Sequence, residues 1–101
     1  MTTMNDLIMQ LVNDYNTYSE LVALNYAQLK EGRLEDSVLQ WNRGHLSCIQ
    51  DYLTQLAEAV DGVSLKWECG AHTFDAYGDA ARARRLEYRT VRVVFTPIEG
   101  A

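Results

Sequence analysis

The stretch VSLKWEC, residues 63–69, changes the periodicity of the chain and decides its fold class. Apolar and polar residues alternate strictly in it, with Val63, Leu65, Trp67 and Cys69 on one side and Ser64, Lys66 and Glu68 on the other. This alternation is typical of a β-strand with one buried face. The residues before it follow a helical spacing instead, so the chain is expected to combine helices with a sheet.

The segment from Met4 to Lys30 has apolar side chains in alternating steps of four and three, which keeps them on one helical face. These side chains are Met4, Ile8, Leu11, Tyr15, Tyr18, Val22, Tyr26 and Leu29. Thr3 or Asn5 can cap the start of this helix, and Gly32 offers a left-handed stop at its end. The sequence therefore predicts one long amphipathic helix.

The next segment, which extends to Val60, has two apolar seams instead of one. The first seam consists of Leu34, Val38, Trp41, His45, Cys48, Tyr52 and Leu56, and the second of Leu39, Leu46, Ile49, Leu53 and Val60. A helix that is apolar over so wide a face is expected to have two neighbours. We predict that these neighbours are the first helix, in an antiparallel hairpin, and the sheet.

Two further strand candidates follow, AHTFDAY at residues 71–77 and LEYRTVRVVFTP at residues 86–97. The second is the stronger, because it is rich in β-branched and aromatic residues and ends at Pro97, which cannot donate to a strand ladder. Its alternation changes phase, which predicts a bulge near Arg89 and Thr90.

Residues 79–85 fit either a short helix capped by Asp79 or a loop, since alanine and arginine are good helix formers. The predicted fold is α+β over a single domain, residues 1–101. An antiparallel two-helix hairpin, residues 4–60, packs on a small antiparallel sheet of about three strands, residues 63–97.

Charge is distributed unevenly along the 101 residues, whose formal net charge is −5. Residues 1–61 contain nine acids and three bases, whereas residues 62–101 contain five acids and six bases. The N-terminus lacks the basic region and cleavage site of a secretory signal, so we interpret the protein as cytoplasmic. No apolar run approaches the ~18 residues of a membrane span, and no membrane contact is expected.

The positive charge of the second half is concentrated in five arginines, Arg82, Arg84, Arg85, Arg89 and Arg92. If the apolar side of the last strand faces the helices, alternation turns Arg92 to solvent, and the arginines before the strand can reach phosphates. Nucleic-acid-binding sheets also stack bases on exposed aromatic residues, and only Tyr77 and Tyr88 are available here. Binding of RNA or DNA by residues 82–92 is therefore our alternative hypothesis, because the acidic chain opposes attraction to phosphates.

Every cysteine and histidine falls in one of two short units. These are HLSC, with His45 and Cys48, and CGAH, with Cys69 and His72. The i, i+3 spacing places the first pair on one helical face, and Gly70 allows the second pair to converge at a strand end. The helix is ~18 Å long between Cys48 and Val60, and the strand runs back over ~20 Å between Val63 and Cys69. The two lengths are similar, which predicts that the two units lie close together.

Three interpretations of these four residues stay open. Zinc favours four nitrogen and sulfur ligands of this kind, so a structural zinc site is one of them. Ordinary core packing with no cofactor is the second, because His45 and Cys48 share a seam with Trp41 and Tyr52, where cysteine behaves as a small hydrophobe. A disulfide or redox pair is the third, although cytosolic cysteines are more often thiols or metal ligands.

Catalysis has little support in the sequence. The chain contains no glycine-rich phosphate loop, no G-x-S-x-G elbow and no H-E-x-x-H helix. His45 and Cys48 can be interpreted as a base and a thiol, but their expected core position argues against substrate access. We therefore expect a protein that is not an enzyme.

The polar positions of the helical hairpin are mainly carboxylates and amides, which suit a basic groove on another protein, such as one that handles nucleic acid. The candidate partner contacts are Glu35, Asp36, Asp51, Arg82, Arg84, Arg85 and Arg92. In size, acidity and lack of catalytic motifs the chain resembles the small inhibitors that phages and mobile elements encode, anti-CRISPR proteins among them. This resemblance implies an inhibitor or accessory protein.

A homodimer is a further expectation. Tyr15, Tyr18, Tyr26 and the two seams of the second helix give the chain more apolar surface than one helical hairpin and three strands cover. A two-fold interface would bury the remainder.

Overall fold

The computed structural model of the protein describes residues 3–87 and 90–97, and only the backbone of residues 85–87. Its elements are α1 (Met4–Lys30), α2 (Asp36–Ala59), β1 (Ser64–Cys69), β2 (His72–Phe74), α3 (Tyr77–Glu87) and β3 (Val91–Thr96). The strands form one antiparallel sheet in the order β2-β1-β3. The predicted α+β fold, a helical hairpin with a small antiparallel sheet, is confirmed. None of the helices in the described ranges is both long and apolar enough to span a membrane.

The first helix begins and ends where its local sequence predicts. Thr3 Oγ1 accepts a hydrogen bond from the Asp6 N–H, and the Asp6 carboxylate accepts one from the Thr3 N–H, both over 3.1 Å. This capping box satisfies two N–H groups that have no partner inside the helix. At the other end Gly32 has a φ of 74°, which lies in the left-handed region that favours glycine.

A buried polar pair fixes the register of α1 against α2. The Asn42 side chain donates a hydrogen bond to Asn25 Oδ1 over 2.7 Å, and the Asn25 amide donates to Gln28 Oε1 over 3.3 Å. Both asparagines are buried. Because a buried amide without a partner costs about 1–3 kcal/mol, a shifted pairing of the two helices would be penalised.

The alternation of β1, the central strand, determines which face of the sheet belongs to the core. Its buried pairs with β3 are Leu65–Phe95, Trp67–Val93 and Cys69–Val91. The opposite face carries Lys66 and Arg92, and the Arg92 guanidinium lies 2.8 Å from the Glu20 carboxylate of α1. The predicted orientation of Arg92 toward solvent is confirmed.

Side chains of α1 cover the free edge of β3. The Asn16 amide donates to the Val93 carbonyl oxygen over 3.0 Å and accepts from the Val93 N–H over 2.8 Å. The Ser19 hydroxyl donates to the Val91 carbonyl oxygen over 2.7 Å. In an uncovered edge strand these backbone groups could pair with a strand of another chain. Here the side chains of α1 form the hydrogen bonds that a fourth strand would otherwise form.

The connection from β2 to β3 is helical. The helix alternative for residues 79–85 is confirmed, since α3 runs from Tyr77 to Glu87. The expected cap at Asp79 is wrong, because the helix begins two residues earlier and Asp79 lies in its first turn. Our expectation that the last strand starts at Leu86 is wrong, because the helix that begins in the alanine- and arginine-rich run continues through Leu86 to Glu87. The bulge predicted near Arg89 and Thr90 involves a residue, Arg89, that lies outside the described part of the chain.

Three aromatic rings join α1, β1 and α3. Trp67 makes edge contacts with Tyr15 and Tyr77, with ring centroids 5.3 Å and 5.1 Å apart. The Tyr15 hydroxyl is buried and has no hydrogen-bond partner among the described residues. Burial raises the pKa of Tyr15 well above the usual tyrosine value, since the phenolate would be poorly solvated.

Tyr15→Phe is expected to leave the free energy of unfolding unchanged or to raise it by up to ~1 kcal/mol, because it removes an unsatisfied buried hydroxyl.

Tyr15 also lowers the free energy of unfolding at alkaline pH. The unfolded chain releases its proton above about pH 10 whereas the folded chain retains it, so stability present below that pH is lost as pH rises. Urea unfolding at pH 7 and 10.5 measures both effects. A loss above ~1 kcal/mol in Tyr15→Phe at pH 7 would indicate a hydrogen bond to Tyr77 and contradict this account.

Candidate functional site: an aromatic face on the helical hairpin

Helix α2 buries only one of its two apolar seams. In the second seam Leu39, Leu46, Ile49 and Leu53 are buried in the core. In the first seam Trp41 is 74% exposed, Tyr52 is 64% exposed and Val38 is 41% exposed. Our prediction that both seams are covered, one by α1 and one by the sheet, is therefore wrong.

The first seam stays exposed because of the way α1 is placed. α2 packs mainly on α1, and it is α1 that packs against β3 through Asn16 and Ser19. Among the described residues α2 has only sparse contacts with the strands. The sheet is therefore covered by α1 and α3, and not by the first seam.

We call the exposed part of the first seam the aromatic face, and it consists of Val38, Trp41, His45, Cys48 and Tyr52. These positions follow one another at three or four residues and span ~21 Å of α2 at ~1.5 Å per residue. The face extends to α1, where the Tyr18 ring stacks on the His45 ring with centroids 4.3 Å apart. Both helices of the hairpin thus contribute to one surface.

The aromatic face itself contains no lysine, arginine or carboxylate, but carboxylates border it. Asp51 follows Cys48 by three positions on α2, and Asp14 precedes Tyr18 by four positions on α1, so each lies one helical turn from a residue of this surface. Both aspartates are exposed. The site is therefore an apolar surface, rich in aromatic rings, with a negative border.

The three carboxylates predicted to contact a partner do not form one patch. Glu35 is the N-cap residue of α2 and Asp36 is its first residue, where the Gln40 amide donates to Asp36. Asp51 lies about 15 residues further, ~22 Å along the helix axis. Asp51 and Glu35 each lie one turn from a residue of the aromatic face, Cys48 or Val38, but at opposite ends of it, whereas Asp36 lies on another side of α2.

The predicted arginine contacts are also divided. Arg82 and Arg84 lie on α3, Arg92 lies on the exposed face of β3, and the side chain of Arg85 is outside the described part. The Arg82 guanidinium lies 3.8 Å from the Asp79 carboxylate, and Arg92 pairs with Glu20. The arginine-rich segment is thus not one strand, and two of its cations are already neutralised by nearby acids.

The residues of the predicted zinc site lie in two places. His45 and Cys48 are exposed on the aromatic face, whereas Cys69 is fully buried at the end of β1, opposite His72 of β2. The core position expected for His45 and Cys48 is therefore wrong. Within residues 3–87 and 90–97, no group of three or more His, Cys, Asp or Glu is placed to hold a metal ion. The zinc site stays a prediction that this geometry does not favour.

Elemental analysis of untagged protein tests the predicted zinc site. We expect less than stoichiometric zinc, because two ligands in each of two separate places leave any site open and weak. One equivalent of zinc that disappears in both Cys48→Ser and Cys69→Ser would contradict this expectation. A chelator would then also lower the melting temperature.

Comparisons with known proteins do not assign the chain to a family. No protein-family model matches it, and no curated protein or solved structure is similar to it at a significant level. Its function has to be inferred from the geometry of its own surfaces, of which the aromatic face is the most distinctive.

Proposed function

We propose that the protein is a non-enzymatic protein-binding module, acting as an inhibitor or accessory protein, and that the aromatic face is its binding surface. The exposure of Trp41 and Tyr52 carries this proposal. Tryptophan and tyrosine are enriched among the few residues that supply most of the energy of protein interfaces. Contiguous exposed apolar surface on a folded domain marks an interaction site more often than isolated exposed residues do.

The size of the face suits an interface. An aromatic side chain buries about 150–250 Å² when fully covered, so the exposed fractions of Trp41 and Tyr52 represent roughly 200–350 Å². A standard interface buries about 800 Å² on each partner. Two side chains therefore supply a quarter or more of the required area, and Val38, His45 and Cys48 extend it.

The negative border indicates the chemistry of the partner. Asp14 and Asp51 flank an uncharged centre on a protein of formal net charge −5. The complementary surface has an apolar centre and a rim of lysine or arginine. The basic groove of a protein that handles nucleic acid has such a rim, and it is the partner class that we favour.

Two other candidate partners fit the aromatic face less well. A second copy of the chain would bring the same carboxylates to the border, where like charges oppose association. Nucleic acid needs cations that neutralise phosphates, and the aromatic face has no lysine or arginine. The experiments below give different results for a second copy of the chain, for nucleic acid and for another protein.

Charge reversal at the border tests the chemistry of the partner. Once a partner has been captured from the native host and purified, Asp51→Lys is expected to slow its association a few-fold at low salt, because border charges steer encounter. The difference should shrink as salt screens the charges. Glu20→Lys is the matched control, since it makes the same charge change at an exposed position of α1 that follows Tyr18 by two positions and so lies on another side of that helix. Equal effects of the two reversals would contradict a binding surface bordered by Asp51.

The homodimer predicted from the sequence is tested by light scattering. A monomer at ~0.1 mM protein leaves the aromatic face open to another protein. A dimer that Trp41→Ala converts to a monomer would assign the face to a second copy and overturn the proposed partner.

A further inference from the structure

The basic side chains of the protein fall into two groups. Seven of the nine lysines and arginines have described side chains. Four of these form ion pairs, Arg33 with Glu31, Lys66 with Asp75, Arg82 with Asp79 and Arg92 with Glu20. Lys30, Arg43 and Arg84 form no ion pair with a described carboxylate. These three side chains line one and the same cleft.

The cleft has a volume of ≈ 950 Å³ and lies where α1, α2 and α3 meet. Among the described side chains, α1 contributes Lys30 to it, α2 contributes Arg43 and α3 contributes Arg84. The described residues that line the cleft include no aspartate or glutamate. In a chain of net charge −5, this convergence creates a local positive potential that attracts an anion.

The rest of the lining is not suited to a simple inorganic ion. Val22, Leu29 and Leu46 provide apolar walls, and the Tyr26 ring beside them is 48% exposed. The Arg43 guanidinium lies 6.0 Å from the centre of the Tyr26 ring. A purely apolar ligand would not need the cations, and a bare anion would not need the walls, so the lining fits a ligand with both parts.

We propose that this cleft binds a nucleotide, with the phosphate held by Lys30, Arg43 and Arg84 and the base placed against Tyr26. Guanidinium groups bind phosphate oxygens through paired N–H donors, and the lysine adds a mobile positive charge. Every nucleobase has a flat face that stacks on an aromatic ring. The volume of the cleft lies within the range of small-ligand pockets, about 300–1,000 Å³.

We call the cleft lined by Lys30, Arg43 and Arg84 the nucleotide cleft, and it is separate from the aromatic face. Arg43 and Ser47 line the cleft, and each follows a residue of the aromatic face, Trp41 or His45, by two positions. Two positions correspond to about 200° around a helix of 3.6 residues per turn, so the two surfaces lie on different sides of α2. Nucleotide binding therefore does not depend on the proposed protein partner.

Calorimetric titration tests the proposal with three probes: the four ribonucleoside 5′-monophosphates, the corresponding nucleosides and inorganic phosphate. At least one monophosphate is expected to bind tenfold or more tightly than its nucleoside and than phosphate, and to weaken as salt rises. Lys30→Gln and Arg43→Gln should each weaken binding by about tenfold. Both residues are exposed, so the variants are expected to fold.

Arg33→Gln is the matched control, because Arg33 is an exposed cation near Lys30 that already pairs with Glu31. It should change the affinity less than twofold. Three results would overturn the proposal: no binding of any monophosphate at millimolar concentration, equal losses in Arg43→Gln and Arg33→Gln, or nucleoside binding as tight as that of the nucleotide. Binding of a single-stranded oligonucleotide without binding of any mononucleotide would assign the cations to nucleic acid and overturn it as well.

Discussion

Trp67→Ala is expected to lower the free energy of unfolding by about 3–5 kcal/mol, the cost of truncating a buried tryptophan. Trp67 lies in the central strand with 3% of its surface exposed, and its ring contacts Tyr15 of α1 and Tyr77 of α3. Truncation would leave a cavity where three elements meet. Because a domain of this size is stable by about 5–15 kcal/mol, this single change removes much of its stability.

The only other tryptophan provides a control with the same substitution. Trp41 is 74% exposed, and Trp41→Ala is expected to change the free energy of unfolding by less than ~1 kcal/mol. Urea unfolding of the two variants, followed by circular dichroism, compares them directly. Equal losses would contradict the placement of one tryptophan in the core and the other on the surface.

The fold class could be predicted from the sequence because periodicity reports which side chains share a face. Leu65, Trp67 and Cys69 alternate with polar residues, and all three are buried in β1. The capping residue Thr3 and the stop at Gly32 are local signals that need no tertiary information. The ends of α1 and the buried face of β1 could therefore be predicted from the sequence.

The aromatic face was not predictable as a surface, although its residues were recognised as a seam. The spacing of Trp41 and Tyr52 shows that one side of α2 is apolar, but periodicity does not reveal whether a neighbour covers that side. The answer depends on Asn16 and Ser19, which place α1 along β3 through hydrogen bonds to its backbone. The Asn42–Asn25 hydrogen bond between α2 and α1 then orients α2 on this scaffold, and such contacts between distant residues are not encoded in the periodicity of one helix.

The cations of the nucleotide cleft were missed for a related reason. Lys30, Arg43 and Arg84 are far apart in the sequence, and no motif connects them. The densest run of cations in the sequence is the arginine-rich segment, and of its arginines with described side chains only Arg84 lines the cleft. Charge density along the chain does not show which cations pair with nearby acids, as Arg82 does with Asp79.

Trp41→Ala is expected to weaken binding of the protein partner by at least ~30-fold, which corresponds to the ~2 kcal/mol that defines a dominant interface residue. The indole lies between Val38 and His45 on the aromatic face and supplies its largest exposed ring. Its loss removes apolar area that the partner would otherwise cover. Since Trp41 is outside the core, the variant should lose binding while it keeps its fold.

Leu24→Ala is the matched control for this loss. Leu24 is an exposed apolar residue of α1, and it follows Tyr18 by six positions, which places it on another side of that helix. Its truncation removes exposed apolar surface outside the aromatic face. Affinity is therefore expected to change less than about threefold.

The most direct measurement is a calorimetric titration of the purified partner into the wild-type protein, Trp41→Ala and Leu24→Ala at one salt concentration. A protein that binds through the aromatic face will show a dissociation constant raised at least ~30-fold in Trp41→Ala and nearly unchanged in Leu24→Ala. Wild-type affinity in Trp41→Ala, with its circular dichroism and melting temperature unchanged, would contradict the assignment of the aromatic face as the binding surface.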